Sequence, residues 1–506
     1  MRQVIKDVDF TVDEHIWGHR LYDEQLPHLT ILEFLTVFAS NLSAPLVLNQ
    51  VGSARYKPQR QIRLRGLLFN NPYVETIRAK QITDKEKWKQ WEELFTSDSS
   101  ILGDDDLGYL SKTFESFDDF AKAIELLRSS AFEGNSNKRW SSKFVFPFGP
   151  DALYEDLRFE ASGAAANDRR FFARTGELLY LMLARAKDSS KLGVVIAERV
   201  FNNSAPMNKL VKALQGETQF AQNDKEVGFL PYSTHRRFDI LCEDWLEILS
   251  RDLPVYDALE HLISITGLNL LLYFLECAKA EVGDVEPVQI VCEIIKERSK
   301  VRALSGDSYQ ANQALSIRAI RASIENIRST DEWGEAAKSD NSVGACSDLL
   351  RLRHQWPSPE EESKISTPEE LLKKFIEMAE SRHQQHIGKI HASWARAIGL
   401  SSRYQSRRNR YAPSDGLLKT LVITVVKDRM QFDEFLSEIR RRYGLVIGDA
   451  EGEWLIMEKK VDQEALSENR LNLENRLVGL GLVRRLSDSC SFVENPFISQ
   501  EFANVD

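Results

Sequence analysis

Apolar positions recur every third or fourth residue along most of this chain, the spacing that lines one face of an α-helix. ILEFLTVFA (31–39), KEKWKQWEELF (85–95) and FDDFAKAIELL (117–127) follow it, as do RRFFARTGELLYLMLARA (169–186), RRFDILCEDWLEILS (236–250) and YDALEHLISITGLNLLLYFLECAKA (256–280). In ANQALSIRAIRASIENIRS (311–329), Ile317, Ile320, Ile324 and Ile327 form a stripe, with Arg318, Arg321 and Arg328 largely off it. Alternation is scarcer. QIRLRGLLF (61–69) alternates over its first five positions and reads as a strand, and VQIVCEII (288–295) is a strand candidate or a helix start. The pattern predicts a mainly α, multi-domain protein with a small α+β N-terminal region.

Breaks in the pattern divide the chain. Residues 1–135 read as a mixed α/β domain, and the Gly-, Ser-, Asn- and Pro-containing stretch 134–150 as a linker. Residues 151–330 read as a helical core domain and 331–366 as a polar connector. A helix start follows, with Thr367 as cap, Pro368 as the first helical residue and Glu370 completing a capping box. That helix is expected to fill 367–400, leaving 401–506 as a basic arm and a terminal module.

The terminal module has the clearest pattern. GLLKTLVITVV (416–426) reads as a helix by run length and leucine spacing, with a strand as the alternative because Val and Ile crowd its second half, and QFDEFLSEIRRRYG (431–444) reads as a helix stopped by Gly444. ALSENRLNLENRLVGLGLV (465–483) reads as a third, followed by two short strands around Ser487-Asp488-Ser489. Helix, Leu-Gly-Leu, strand, polar turn and strand in this order resemble the winged-helix superfamily over 414–497. The resemblance implies a recognition helix near 467–480 and a wing near 484–493. It implies that Arg470, Asn472, Asn475 and Arg476 face a groove of duplex DNA and that Arg484 and Arg485 meet its backbone. The insertion 444–460 departs from a minimal winged helix, and Glu468 and Glu474 oppose phosphate on the same helix.

Length and composition set limits on this picture. The chain has 506 residues, 42 % of them hydrophobic, and a formal net charge of −10. Nucleic-acid contact therefore requires local basic clusters on an acidic background. The five cysteines are odd in number and lack CxxC spacing, which predicts free thiols in the cytoplasm. The apolar run 268–275 is too short for a membrane span and includes Asn269, so a buried helix and no membrane partner are expected.

Among candidate chemistries, SSRYQSRRNRYAP (401–413) is the sharpest. Arg403, Arg407, Arg408 and Arg410 interleave with Tyr404 and Tyr411. Arginine offers a planar fork to phosphate oxygens and tyrosine a stacking face. Two further basic clusters are Arg55, Lys57, Arg60, Arg63 and Arg65, and Lys138, Arg139, Trp140, Lys143 and Phe144. Asp449 with Glu458 and Lys460 imitates the Asp…Glu-x-Lys order of metal-dependent nucleases, in which carboxylates hold Mg²⁺ and a lysine attends the attacking water. His383 and His386 share a helix face without the acid a zinc protease needs, and are expected to be exposed. No phosphate-binding GxxxxGK[ST] loop, dinucleotide GxGxxG or nucleophile elbow occurs, so no cofactor, resident metal or catalytic residue is expected. The resulting expectation is a non-catalytic, DNA-associated adaptor or scaffold subunit of a bacterial multi-protein complex, in DNA restriction or anti-phage defence. A nuclease using Asp449, Glu458 and Lys460, and a pure protein-interaction subunit, are the alternatives.

Overall fold

The computed structural model describes residues 11–19, 21–57, 59–60, 62–69, 71–98, 107–129, 151, 157–159, 165–167, 174–201, 206–216, 219–220, 223–296, 299–487 and 490–497. Helices dominate, as the apolar spacing predicts. At the centre lies Val255–Glu281, buried along nearly its whole apolar length. Around it pack Arg236–Leu249, Leu315–Arg328, Ile390–Ala397 and Asp415–Val425. This helix is long and apolar enough to cross a bilayer, but 78 % of its apolar window is buried inside the protein, the environment of a core helix. One apolar cluster runs without interruption from Val12 to Val493, and a small second one joins Val291, Val301, Val446, Leu455, Ala465 and Leu466.

Towards the N-terminus, Pro27–Ala39 packs along Thr175–Ala184. Gly176 permits the approach, because a Cβ there would lie 2.5 Å from Glu33 Cβ and 2.6 Å from the Phe34 amide nitrogen. Glu33 then accepts the Gly176 N–H at 2.7 Å and the Arg174 N–H at 3.1 Å, serving as cap for a helix on which it does not lie. Burial, with Glu177 beside it, pushes the Glu33 carboxyl up to about 8.

Several segments differ from their sequence reading. Residues 62–69 are a helix, Ile62–Phe69, not a strand. Leu64, Leu67 and Leu68 are its buried positions, and a three–four spacing outweighs the brief alternation. The 331–366 stretch is not a bare connector: it holds the helices Asp331–Ala336, Ser342–His354 and Pro359–Glu362. Trp333, Cys346 and Leu350 bury there, enough apolar anchors to fix a polar segment. The helix begun at Thr367 ends at Gln385, turns once through Ile387–Lys389 and resumes as Ile390–Ala397. In VQIVCEII only Ile290–Val291 is a strand. The cluster at 138–144 lies outside the described residues.

The C-terminal segment runs helix Asp415–Val425, strand Arg429–Gln431, helix Phe432–Tyr443, strand Leu445–Val446, short helix Glu453–Met457, helix Gln463–Gly479, strand Val483–Ser487 and strand Cys490–Glu494. Three of these strands form an antiparallel sheet with Cys490–Glu494 in the middle. The insertion supplies a parallel pairing, Leu445 opposite Ile290 and Val446 opposite Val291. Gly444 (φ 69°) makes the turn into that pair, where a Cβ would lie 2.1 Å from the Val288 carbonyl oxygen.

Candidate nucleic-acid interface

The basic arm is a hairpin: Ser401–Ser402 pairs antiparallel with Arg410–Tyr411, and residues 403–409 form the tip. Alternation across the returning strand does not expose both of its predicted contact residues. Arg410 is 1 % exposed and ion-paired to the fully buried Glu293. Tyr411 is equally interior, its hydroxyl 2.6 Å from His391 Nε2 and 3.0 Å from Asn312 Nδ2. Its carbonyl accepts the Glu293 N–H at 2.9 Å and the Ser305 hydroxyl at 2.7 Å. These two residues hold the hairpin's base and are not available to a ligand; charged and phenolic groups enter the interior only when paired in this way.

The tip is the opposite case. Arg403, Tyr404, Arg407 and Arg408 are exposed. Arg403 Nε donates to Asn409 Oδ1 at 2.6 Å, and among the described residues none of the three arginines forms an ion pair. Arg302 braces the tip from below, with Nε 3.0 Å from Glu293 Oε1 and Nη1 3.5 Å from the Gln405 carbonyl. One buried carboxylate thus serves two guanidinium groups, leaving the base of the hairpin positive. Beyond Arg302, Lys296 and Lys300 pair with Glu468 at 3.0 Å and Glu464 at 3.7 Å on the helix Gln463–Gly479.

That helix is the one expected to enter a DNA groove. Of its predicted contacts, Arg470 is committed to Asp433 (Nε–Oδ1 2.9 Å) and Arg476 to Asp415 (2.6 Å). On the following strand, Arg485 reaches Glu474 at 3.0 Å and Asn475 at 3.1 Å, while Arg484 is exposed. The outward face carries Glu464, Leu471, Asn475 and Val478, more acidic and apolar than a phosphate-facing surface requires. Inward, Asn469 donates to the carbonyls of Cys292 and Ile447, both at 2.9 Å, and accepts the Ile294 N–H at 2.8 Å.

Two members of the nuclease constellation meet each other. Glu458 is held by Lys460 at 2.7 Å, and Asp449 Oδ2 lies 3.4 Å from Gln463 Nε2. No group of three or more His, Cys, Asp or Glu side chains suited to a metal occurs among the described residues. His383, expected at the surface, is interior: Nδ1 lies 2.7 Å from Asp13 Oδ1 and Nε2 2.9 Å from Ser316 Oγ. The order is that of a Ser-His-Asp triad, yet all three side chains are buried, so it serves as a clasp fastening the helix Val12–Trp17 to Pro368–Gln385. His386 is half-exposed beside Asp23, at 3.1 Å. Between Leu315–Arg328 and Pro368–Gln385 runs a groove of about 610 Å³ with charges of both signs, among them the Arg321–Glu380 pair at 2.7 Å.

Sequence reasoning missed Glu293, Asn469 and the His383 clasp. Glu293 carried a signal, a lone acid inside an apolar run, which implies a buried cation to meet it. Asn469 and Asp13 sit in polar surroundings and carried none.

The geometry describes a mainly helical protein that presents a braced arginine–tyrosine hairpin beside a helix–strand–helix–helix–hairpin module. A family model described as methylation-associated defense system protein MAD7 matches residues 361–493. The match spans about a quarter of the chain and contains the hairpin and nearly all of the module. It supports a defence-system role. No curated protein and no solved structure matches the chain.

Proposed function

We propose that this chain is a non-catalytic, cytoplasmic subunit of a defence-system assembly that grips nucleic acid through the 401–411 hairpin while its helical body serves as scaffold. The carrying observation is the partition of the predicted cations. Arg470, Arg476 and Arg485 are spent on carboxylates and Arg484 is exposed, whereas Arg403, Arg407 and Arg408 stand exposed together on one tip, without ion pairs among the described residues. A cluster of exposed guanidinium groups suits phosphate oxygens. The order of helices and strands in 415–494, with a three-stranded antiparallel sheet, supports reading the module as winged-helix-like. Under that reading duplex DNA is the expected partner, contacted at its backbone and not read base by base.

The test is DNA binding by fluorescence anisotropy over a salt series. Replacing Arg403, Arg407 and Arg408 together by Ala is expected to weaken binding at least ~10-fold at low salt and to flatten the log–log salt slope by about 2–3. Unchanged affinity and slope, or no DNA binding by the wild type at low salt, would sink the reading. A second reading, a pure protein-interaction subunit, is favoured by the outward Leu471 and Val478, seven residues apart on one helix face. Co-purification with a product of a neighbouring gene, abolished by Leu471→Asp with Val478→Asp, together with absence of DNA binding, selects it.

A further inference from the structure

Tyr404 is 63 % exposed at the hairpin tip, and the surrounding loop is built to keep it there. Its carbonyl accepts from buried Arg410 Nη2 at 2.8 Å, and its N–H donates to Ser402 Oγ at 3.0 Å. Gln405, next in the chain, adopts a left-handed conformation (φ 54°), unfavourable for a residue with a Cβ. Its carbonyl faces Arg302 Nη1, and Ser406 N–H closes the turn onto the Arg403 carbonyl at 3.0 Å. Two guanidinium groups from below thus orient consecutive carbonyls inward and leave the ring between them and solvent. Holding the backbone beneath an exposed aromatic ring gives no gain in core packing. It does lower the backbone ordering cost of binding a flat ligand.

Exposed arginines flank Tyr404 along the chain, Arg403 before it and Arg407 with Arg408 after it. A base-paired duplex keeps its base faces stacked on one another, so a protruding phenol finds none to cover. An unpaired base offers both faces. We propose that the 401–411 hairpin takes single-stranded nucleic acid, one unpaired base stacking on Tyr404 while Arg403, Arg407 and Arg408 hold the phosphates on either side. This rests on the nucleic-acid reading above: it keeps the backbone grip of the three arginines and moves the preferred ligand from duplex to a strand with unpaired bases. The hydroxyl of Tyr404 has no part in stacking, so Phe serves as well as Tyr.

The experiment uses the full chain and anisotropy at one ionic strength, with oligothymidylate, oligouridylate and a blunt DNA duplex as probes. Single strands are expected to bind more tightly than duplex. Tyr404→Ala is expected to lower single-strand affinity about ten-fold and leave duplex affinity unchanged, and Tyr404→Phe to restore the wild-type value. The two single strands separate a DNA-directed tip from an RNA-directed one, and preferential capture of either supports the proposal. Equal affinity of Tyr404→Ala and wild type for both single strands overturns it, as does an equal loss on single strand and duplex. Duplex binding that depends on the arginines but not on Tyr404 removes this inference alone. No binding to any probe removes the nucleic-acid reading with it. Unchanged circular dichroism of the variants shows that the fold is intact.

Discussion

His391 is enclosed by two tyrosines. Its ring meets that of Tyr309 edge-on at 4.6 Å, and Nε2 lies 2.6 Å from the Tyr411 hydroxyl. Asn312 Nδ2 also donates to that hydroxyl. Burial pushes the imidazole down to about 3. A histidine depressed on folding contributes stability that is complete above its unfolded pKa, near 6.5, and is lost as pH falls towards the folded value. Between pH 7 and pH 4 this group alone is expected to withdraw about 3 kcal/mol. Urea titrations at both pH values check it: His391→Phe should start less stable at pH 7 and lose correspondingly less on acidification. His235, partly buried and pushed down to about 4, keeps its own share of the acid sensitivity in that variant. An equal acid loss in wild type and variant would refute the assignment. The same neighbourhood shows the limit of sequence at this scale. Arg408 and Arg410 look alike in SRRNRY, but one is at the surface and the other 1 % exposed. Only the hairpin register and the position of Glu293 separate them, and Glu293 is 117 residues away.

The helix Gln463–Gly479 and the segment around Ile290–Val291 are joined by the small apolar cluster that Val291 shares with Ala465 and Leu466 and by one buried polar side chain. Asn469 satisfies two carbonyls and one N–H, all buried. Asn469→Ala leaves these groups without partners and is expected to cost about 3 kcal/mol, read as a lowered denaturant midpoint. A loss below about 1 kcal/mol would mean that the helix is held by its apolar face instead. Elements were more readable than residues. Helices expected at 416–426, 431–444 and 465–483 stand at Asp415–Val425, Phe432–Tyr443 and Gln463–Gly479, and the strands flank Asp488 and Ser489 as read. Helical periodicity and glycine stops are local signals and survive in one sequence. The three-residue strand Arg429–Gln431 and the parallel pair formed by Leu445 and Val446 were not seen. Such short strands have no periodicity of their own and exist only because distant partners meet them. The fold of 331–366 was hidden for a related reason, its few apolar anchors being diluted by charge.

At the scale of the molecule, buried charge bolts the C-terminal module to the central helices. Arg442 reaches Asp244 at 2.6 Å and Glu243 at 2.8 Å, and Asp244 also accepts from the Tyr443 hydroxyl and Asn269. Burial pushes the Asp244 carboxyl up while Arg442 opposes it. Arg251 fastens the same module by donating to the carbonyls of Lys427 and Val426. Arg442→Met strands a carboxylate in the interior and is expected to destabilise by about 3–5 kcal/mol, lowering the melting temperature by several degrees. Asp244→Asn combined with Arg442→Met should recover part of that loss, since the stranded charge is then gone. No recovery would show that packing, and not charge, makes the joint.

Residues 290–294 have a consequence that reaches both outward surfaces. On one side they are tied to Val446 and Asn469, and on the other to Tyr411 and Arg410. The hairpin that bears Tyr404 and the helix that bears Leu471 and Val478 therefore stand on one footing, and a substitution that disturbs this short buried segment undermines both at once.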